Sequence, residues 1–482
     1  MRLADMADWR TAPGRLLRWT PTPAAREAAS NAPVDPGPPS DLQADHLGAF
    51  KERGRNRAWT GVATDVDGDL DREAMTRALR RLVRAHGGFR TFFDLSGPDP
   101  VRHLVPAEAV DFQVEEVPAP SGEWDAALQE HLTARFDEEC TPDSWPGFAF
   151  GVVERPGGFG LFWGCDHAFT DGASQILLGS ELADLYAAEL AEPGGPEVVA
   201  GALPKPEERG DFRDHVEEER KAATRFSPES PEIREWVRMV SDNGNRLPRF
   251  PLPLGLAEGG KAPVRIRTLT YLEGDELAAF DRACKAAGAR ISGGVFAAVA
   301  ATERMLAGRD RYFGMTVLST RDRGPHSRSQ GWFCTFAPVE FEVTDAGFGE
   351  LANRAQDALR QAKELSRAPI HLVVDTLLRS GTCTPADLGS PQLLSYLDLR
   401  WFPGAGRPAD ERGVHFTGTG RTSNASMWIN RDADRLYLLA QVPDTEQAHE
   451  SVDTYHRHLR EVFQDAAGQE SSTGATLLLD GP

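Results

Sequence analysis

A histidine at the end of an apolar run, followed four residues later by an aspartate and then a glycine, is an arrangement that could move a proton. The run is Leu161-Phe162-Trp163-Gly164-Cys165-Asp166, and the three residues are His167, Asp171 and Gly172. An imidazole with an ordinary pKa of ~6.5 takes a proton from an alcohol or amine at neutral pH when the backbone holds it against a cleft. His167 is therefore the candidate general base. Asp171 can orient the loop through an ion pair, and Gly172 lets the backbone turn or approach a ligand with no Cβ in the way. HxxxD alone is also found around ordinary core or surface histidines, so its meaning depends on a strand before it and a helix after it.

Both are legible. Residues 148–154 and 159–165 read as strands on either side of Pro156-Gly157-Gly158, where the glycines permit a tight hairpin. Residues 171–190 carry the apolar periodicity of a long helix. Upstream, 59–66 reads as a strand and 71–86 as a helix with acidic residues at its start; 89–95, 101–105 and 112–117 read as short strands, and 126–136 as a helix. The Pro- and Ala-rich residues up to 40 read as an arm or loop lying on a core.

Residues 191–208 are dense in Pro and Gly and mark a linker. Beyond it, helices are expected at 232–239, 275–287, 293–306, 350–365 and 445–463. Strands are expected at 264–272, 311–318, 333–343 and 392–399, with a hairpin at 426–430 and 436–442. The division expected is a first lobe at 1–195 carrying the motif, a linker or crossover at 196–225, and a second lobe at 226–482. Each mixes helices with short antiparallel pairs, an α/β (α+β) class rather than a βαβ parallel fold.

A chain of 482 residues is too long for one compact core. Its formal net charge of −20 argues against a nucleic-acid partner, which clustered Lys and Arg would hold. The five cysteines show no CxxC spacing, so neither zinc site nor disulfide framework is readable, and reduced thiols in a cytoplasm fit best. Cys165, on a buried strand, reads as a core thiol, and His415, His456 and His458 have no partners at metal-ligand spacing. The first nine residues carry acidic groups where a signal peptide needs an apolar stretch, and no segment nears the ~20 apolar residues of a membrane span. A cytoplasmic monomer is expected.

The motif resembles the active-site signature of the condensation-domain and CoA-dependent acyltransferase superfamily. Further stretches are similar to its landmarks in order: 79–91 (LRRLVRAHGGFRT), 291–321 ending in Leu318-Ser319-Thr320-Arg321, and Gly331-Trp332-Phe333 with Pro338. Ser395-Tyr396-Leu397-Asp398-Leu399-Arg400, Trp428 with Asn430-Arg431, Val442-Pro443-Asp444-Thr445, and the early Trp9, Pro13-Gly14 and Trp19-Thr20-Pro21 resemble the actinobacterial polyketide-associated (Pap-type) acyltransferases. The common signature is HHxxxDG. Asp166 replaces its first histidine, which leaves the base at His167 and bears on the packing of the loop.

The resemblance implies two chloramphenicol-acetyltransferase-like lobes in a V, with His167 midway along a tunnel between them. No bound cofactor or metal is implied; the co-substrate is an acyl-CoA or a phosphopantetheinyl carrier-protein thioester. The partners implied are an acyl or peptidyl carrier protein and a small alcohol or amine acceptor. His167 is implied as base, the Gly172 N–H as oxyanion donor, and Asp171 as a structural carboxylate paired with Arg321. Asp166, Ser319, Trp332, Trp428 and Asn430 are candidate tunnel residues. Three functions follow: a free-standing acyltransferase making an ester or amide, a condensation enzyme joining carrier-bound substrates, and a non-catalytic recruitment protein of the same fold.

Overall fold

The strand that delivers the motif, Gly158–Asp166, is buried at every residue because both of its faces are covered. Phe159, Leu161, Trp163 and Cys165 enter one apolar cluster, and Phe162 enters another on the opposite face. That is why the run reads as continuously apolar rather than alternating. It pairs antiparallel with Phe148–Arg155 through a turn in which Gly157 takes a left-handed conformation (φ 74°), and on its other side with Trp59–Asp67.

The computed structural model describes residues 2–54, 58–193, 209–321, 324–345 and 347–476, which fall into two compact units. The first comprises Met1–Ala222, Ser319–Cys334 and Trp401–Gly420. Its seven-stranded sheet runs in the order Arg2–Leu3, Val414–Thr417, Trp59–Asp67, Gly158–Asp166, Phe148–Arg155, Arg15–Pro21, Phe112–Val117. All its ladders are antiparallel except that of Arg2–Leu3. Helices Arg72–Ala85 and Gly172–Ala191 bury Ala78, Leu82, Leu178 and Leu182 in one cluster. Helix Trp124–Glu139 buries Leu128, Leu132 and Phe136 in the other.

On that second face the strand carries glycine where the helix comes closest. A Cβ at Gly164 would stand 2.5 Å from a ring carbon of Phe136. Gly164→Ala is expected to destabilise the protein by about 1–3 kcal/mol through overpacking, read as a lower denaturant midpoint. An unchanged midpoint would show that the ring moves aside freely.

The first 40 residues are not a loop on the surface of a core. Arg15–Pro21 is a strand inside the sheet, and Pro23–Ser30 is a helix with Thr22 at its N-cap. Leu16, Leu17 and Trp19 bury side chains that outweigh the flanking prolines. Asp41–Arg53 forms a further helix, opened by a capping box between Ser40 and Gln43. The linker expected at 196–225 lies outside the described residues up to 208, and Phe212–Ala223 is helical.

The second unit comprises Ala223–Leu318, Thr335–Arg400 and Arg421–Pro482. Its five-stranded sheet runs Leu394–Asp398, Ser426–Arg431, Arg435–Pro443, Ala262–Glu273, Arg421–Thr422, with only the first pair parallel. Helices Gly274–Ala286, Ile291–Ala307 and Glu446–Thr476 pack with it around Tyr271, Phe280, Phe296, Tyr455 and Phe463. Among the described residues, no helix is long and apolar enough to cross a membrane.

Candidate active site

The strand ends in a 3-10 turn, His167–Phe169, capped by Asp166, whose Oδ1 accepts the Ala168 N–H at 2.8 Å. The same oxygen lies 2.8 Å from Nε2 of His46 on the helix Asp41–Arg53. Asp166 is thus buried and committed to a backbone group and a second histidine. The His167 N–H donates to the Ala58 carbonyl (2.9 Å), which fixes the main chain beneath the ring.

The His167 imidazole is half-buried against Trp332, with ring centroids 4.0 Å apart. Its Nδ1 is buried and meets no neighbouring group at hydrogen-bond geometry; the polar group it faces is the residue's own carbonyl. Burial lowers the His167 pKa below the usual histidine value, and the imidazole of His46 lowers it further. Its own carbonyl, Asp171 and Asp166 oppose that shift.

Asp171 caps the 20-residue helix Gly172–Ala191. Its Oδ1 accepts the Ser174 N–H at 2.6 Å, and its Oδ2 accepts the Phe333 N–H at 2.8 Å. Nη2 of Arg321 lies 3.6 Å from Oδ1 and donates to Ser174 Oγ at 2.7 Å, while Nη1 donates to the carbonyls of His326 and Ser329. The guanidinium also sits over the Phe333 ring, 4.2 Å from its centroid. The carboxylate faces backbone and Arg321, so it holds Arg321 and Phe333 to the start of the helix.

Gly172 opens that helix. First-turn N–H groups have no partner within a helix and carry the positive end of its dipole, so they suit an anion.

A model of the condensation domain matches residues 52–383. PapA1 of Mycobacterium tuberculosis (strain CDC 1551 / Oshkosh), a 2'-acyl-2-O-sulfo-trehalose (hydroxy)phthioceranyltransferase, is 31% identical over 476 residues, covering 96% of this chain and 88% of that relative. The chain belongs to the condensation-domain family. Within that family it is also similar to the trehalose-2-sulfate acyltransferase PapA2 of Mycobacterium bovis (strain BCG / Pasteur 1173P2), 28% identical over 472 residues and 96% of each chain. The solved structure of a PapA2 acyl transferase superposes with a TM-score of 0.85 at 25% identity, over 97% of this chain and 100% of that one. This condensation-domain protein is a Pap-type acyltransferase with a mixed α/β fold.

Of the residues singled out from the sequence of this condensation-domain enzyme, the first unit holds His167, Asp171, Gly172, Asp166, Arg321, Ser319 and Trp332. Ser319 is exposed, and its Oγ accepts the Arg321 N–H (3.2 Å). Trp428 and Asn430 lie on the strand Ser426–Arg431 of the second unit, where the Asn430 amide donates to the Trp428 carbonyl (2.9 Å). Cys165 is buried and its thiol is pushed well above its ordinary pKa by burial, then by Cys140 and Asp166, which leaves it unreactive as a nucleophile. Two histidines that the sequence reading did not place here, His46 and His415, stand close enough to bear on the titration at the site.

Proposed function

We propose that this acyltransferase moves an acyl group from a CoA or carrier-protein thioester to a hydroxyl of a trehalose-type disaccharide, with His167 as the base. The observation that carries the reading is a half-buried imidazole one short turn from the N-terminus of a long helix, at the end of a fully buried strand. The acceptor class is supported by the relatives named for acyl transfer to sulfated trehalose.

Nδ1 faces the residue's own carbonyl, so Nε2 is the nitrogen left to meet substrate. It takes the proton as the hydroxyl oxygen attacks the thioester carbonyl, and returns it to the departing thiolate when the C–S bond breaks. Asp171 and Arg321 position the loop and the helix start, and the first-turn N–H of Gly172 meets the oxyanion. Positioning two substrates at attack distance supplies much of the remaining rate.

The test is octanoyl-CoA or octanoyl carrier protein offered with trehalose, trehalose 2-sulfate, simple amines and an aminoacyl carrier protein, with products identified by mass. An ester of the sugar supports the proposal; amide products alone, or transfer only between two carrier proteins, favour a condensation enzyme, and no transfer at all favours a recruitment protein. The pH profile adds a second check. Activity needs the unprotonated ring, and a pKa below ~6.5 keeps it unprotonated further into acid. The acid limb of kcat/KM should therefore have its half-point below pH 6.5, and a half-point above that value would count against His167 as the group titrating.

A further inference from the structure

His415 is a buried histidine whose Cε1 edge stands against the start of the active-site helix. It lies on Val414–Thr417, directly opposite Val62, while Thr417 lies opposite Thr60. Opposed residues of a ladder share a face, so His415 projects from the same face of the sheet as Val62 and Thr60, and Val414 and Phe416 turn to the other, into the cluster of Trp59 and Phe136. The residue is 3% exposed, and its Nε2 is buried with no hydrogen-bond partner among the described residues. A buried polar atom left unpaired costs about 1–3 kcal/mol, which a group that pairs it recovers.

What lies in front of that edge is Gly172. A Cβ placed on Gly172 would meet Cε1 of His415, the carbon between its two ring nitrogens, at 3.8 Å, and no other neighbouring atom within 4 Å among the described residues. The first residue of the helix and the edge of this imidazole thus stand side by side in the first unit. We propose that His415 donates its Nε2–H to the carbonyl oxygen of the thioester as that oxygen becomes an oxyanion, alongside the first-turn N–H of Gly172. The proposal rests on His167 as the base and adds a second, uncharged donor to the same centre.

The chemistry balances without a further reactant. The acceptor oxygen bonds to the carbonyl carbon and its proton passes to His167, while the π pair moves onto the carbonyl oxygen and is held by the two donors. When the pair returns, the C–S bond breaks and the thiolate takes the proton from His167.

Two properties fit a donor rather than a second base. Burial, and then His167, push the His415 pKa down to about 4, with Asp171 opposing. A ring that weakly basic takes no proton from an alcohol at neutral pH, yet its N–H still polarises a carbonyl. Being neutral, it also adds no positive charge that would depress the basicity of His167 further.

The test uses the full chain with octanoyl-CoA and trehalose. His415→Leu should lower kcat by about 10²–10³-fold, with KM for both substrates changed by less than about threefold and the melting temperature held. His415→Gln, which restores a donor, should recover at least about tenfold of that loss. A kcat within about threefold of the parent, or a loss carried by KM, overturns the proposal. Turnover is not the only readout. Octanoyl-CoA bound to His167→Ala protein should show its thioester C=O stretch shifted to lower frequency, and adding His415→Gln should change the shift; an unshifted band overturns the proposal even if His415→Leu does not fold. Failure of the base reading has a different signature, full activity in His167→Ala.

Discussion

Replacing His167 with alanine should lower the rate of acyl transfer by about 10²–10⁴-fold while leaving the folded protein intact. The magnitude is what a positioned general base contributes, and its loss removes the one group that relays the proton from acceptor to leaving thiolate. The fold should survive because the main chain there is held by other atoms. The His167 N–H bonds to Ala58, Asp166 caps the turn, and Gln43 Nε2 donates to the Ala168 carbonyl at 2.6 Å. The ring itself is half-buried and packs against Trp332. Steady-state kinetics beside a thermal melt checks the expectation: KM should stay within a few-fold, since the imidazole acts on the proton rather than on ground-state binding. A variant within tenfold of the parent would move the base elsewhere on the chain.

The sequence disclosed this centre because its parts are local. Strand, turn, cap and helix follow one another over 148–191, each with its own signal: apolar runs, the Pro156-Gly157 turn, Asp171 as a helix N-cap, then helical periodicity. What the sequence hid depends on distant segments. His46 reaches Asp166 across 120 positions, and His415 enters through a strand of four residues in the segment Trp401–Gly420. A lone histidine in an apolar alternation such as Val414-His415-Phe416 is the only trace such a residue leaves, and the alternation says which face it takes but not what it meets. Prolines misled in the other direction. Pro13 and Pro21 bracket Arg15–Pro21 rather than interrupt it, and Pro21 ends the strand, where its missing N–H matters least.

Arg321 was within reach because the resemblance pairs the motif's aspartate with an arginine and Arg321 ends the matching stretch 291–321, whereas the other partners of Asp171 are backbone groups that no residue type announces. Those partners determine the second large effect. Asp171→Ala should destabilise the protein by about 3–5 kcal/mol, because it takes a carboxylate from beside the buried Arg321 guanidinium and removes the acceptor for two N–H groups. Both side chains are only 8% exposed, so water does little to replace what is lost. For a unit of this size that corresponds to a melting temperature lower by about 10 °C. Asp171→Asn should not rescue it. The carboxylate accepts from Ser174 with one oxygen and from Phe333 with the other, and an amide must turn its NH₂ toward one of those N–H donors or toward Arg321. Combining Asp171→Ala with Arg321→Met should cost less than the sum of the two, with a coupling of about 1–3 kcal/mol measured by denaturant unfolding. If Asp171→Ala instead melts with the parent and loses only kcat, the carboxylate acts on the reacting atoms, and the division of labour in which His167 handles the proton while Asp171 holds the loop must be redrawn.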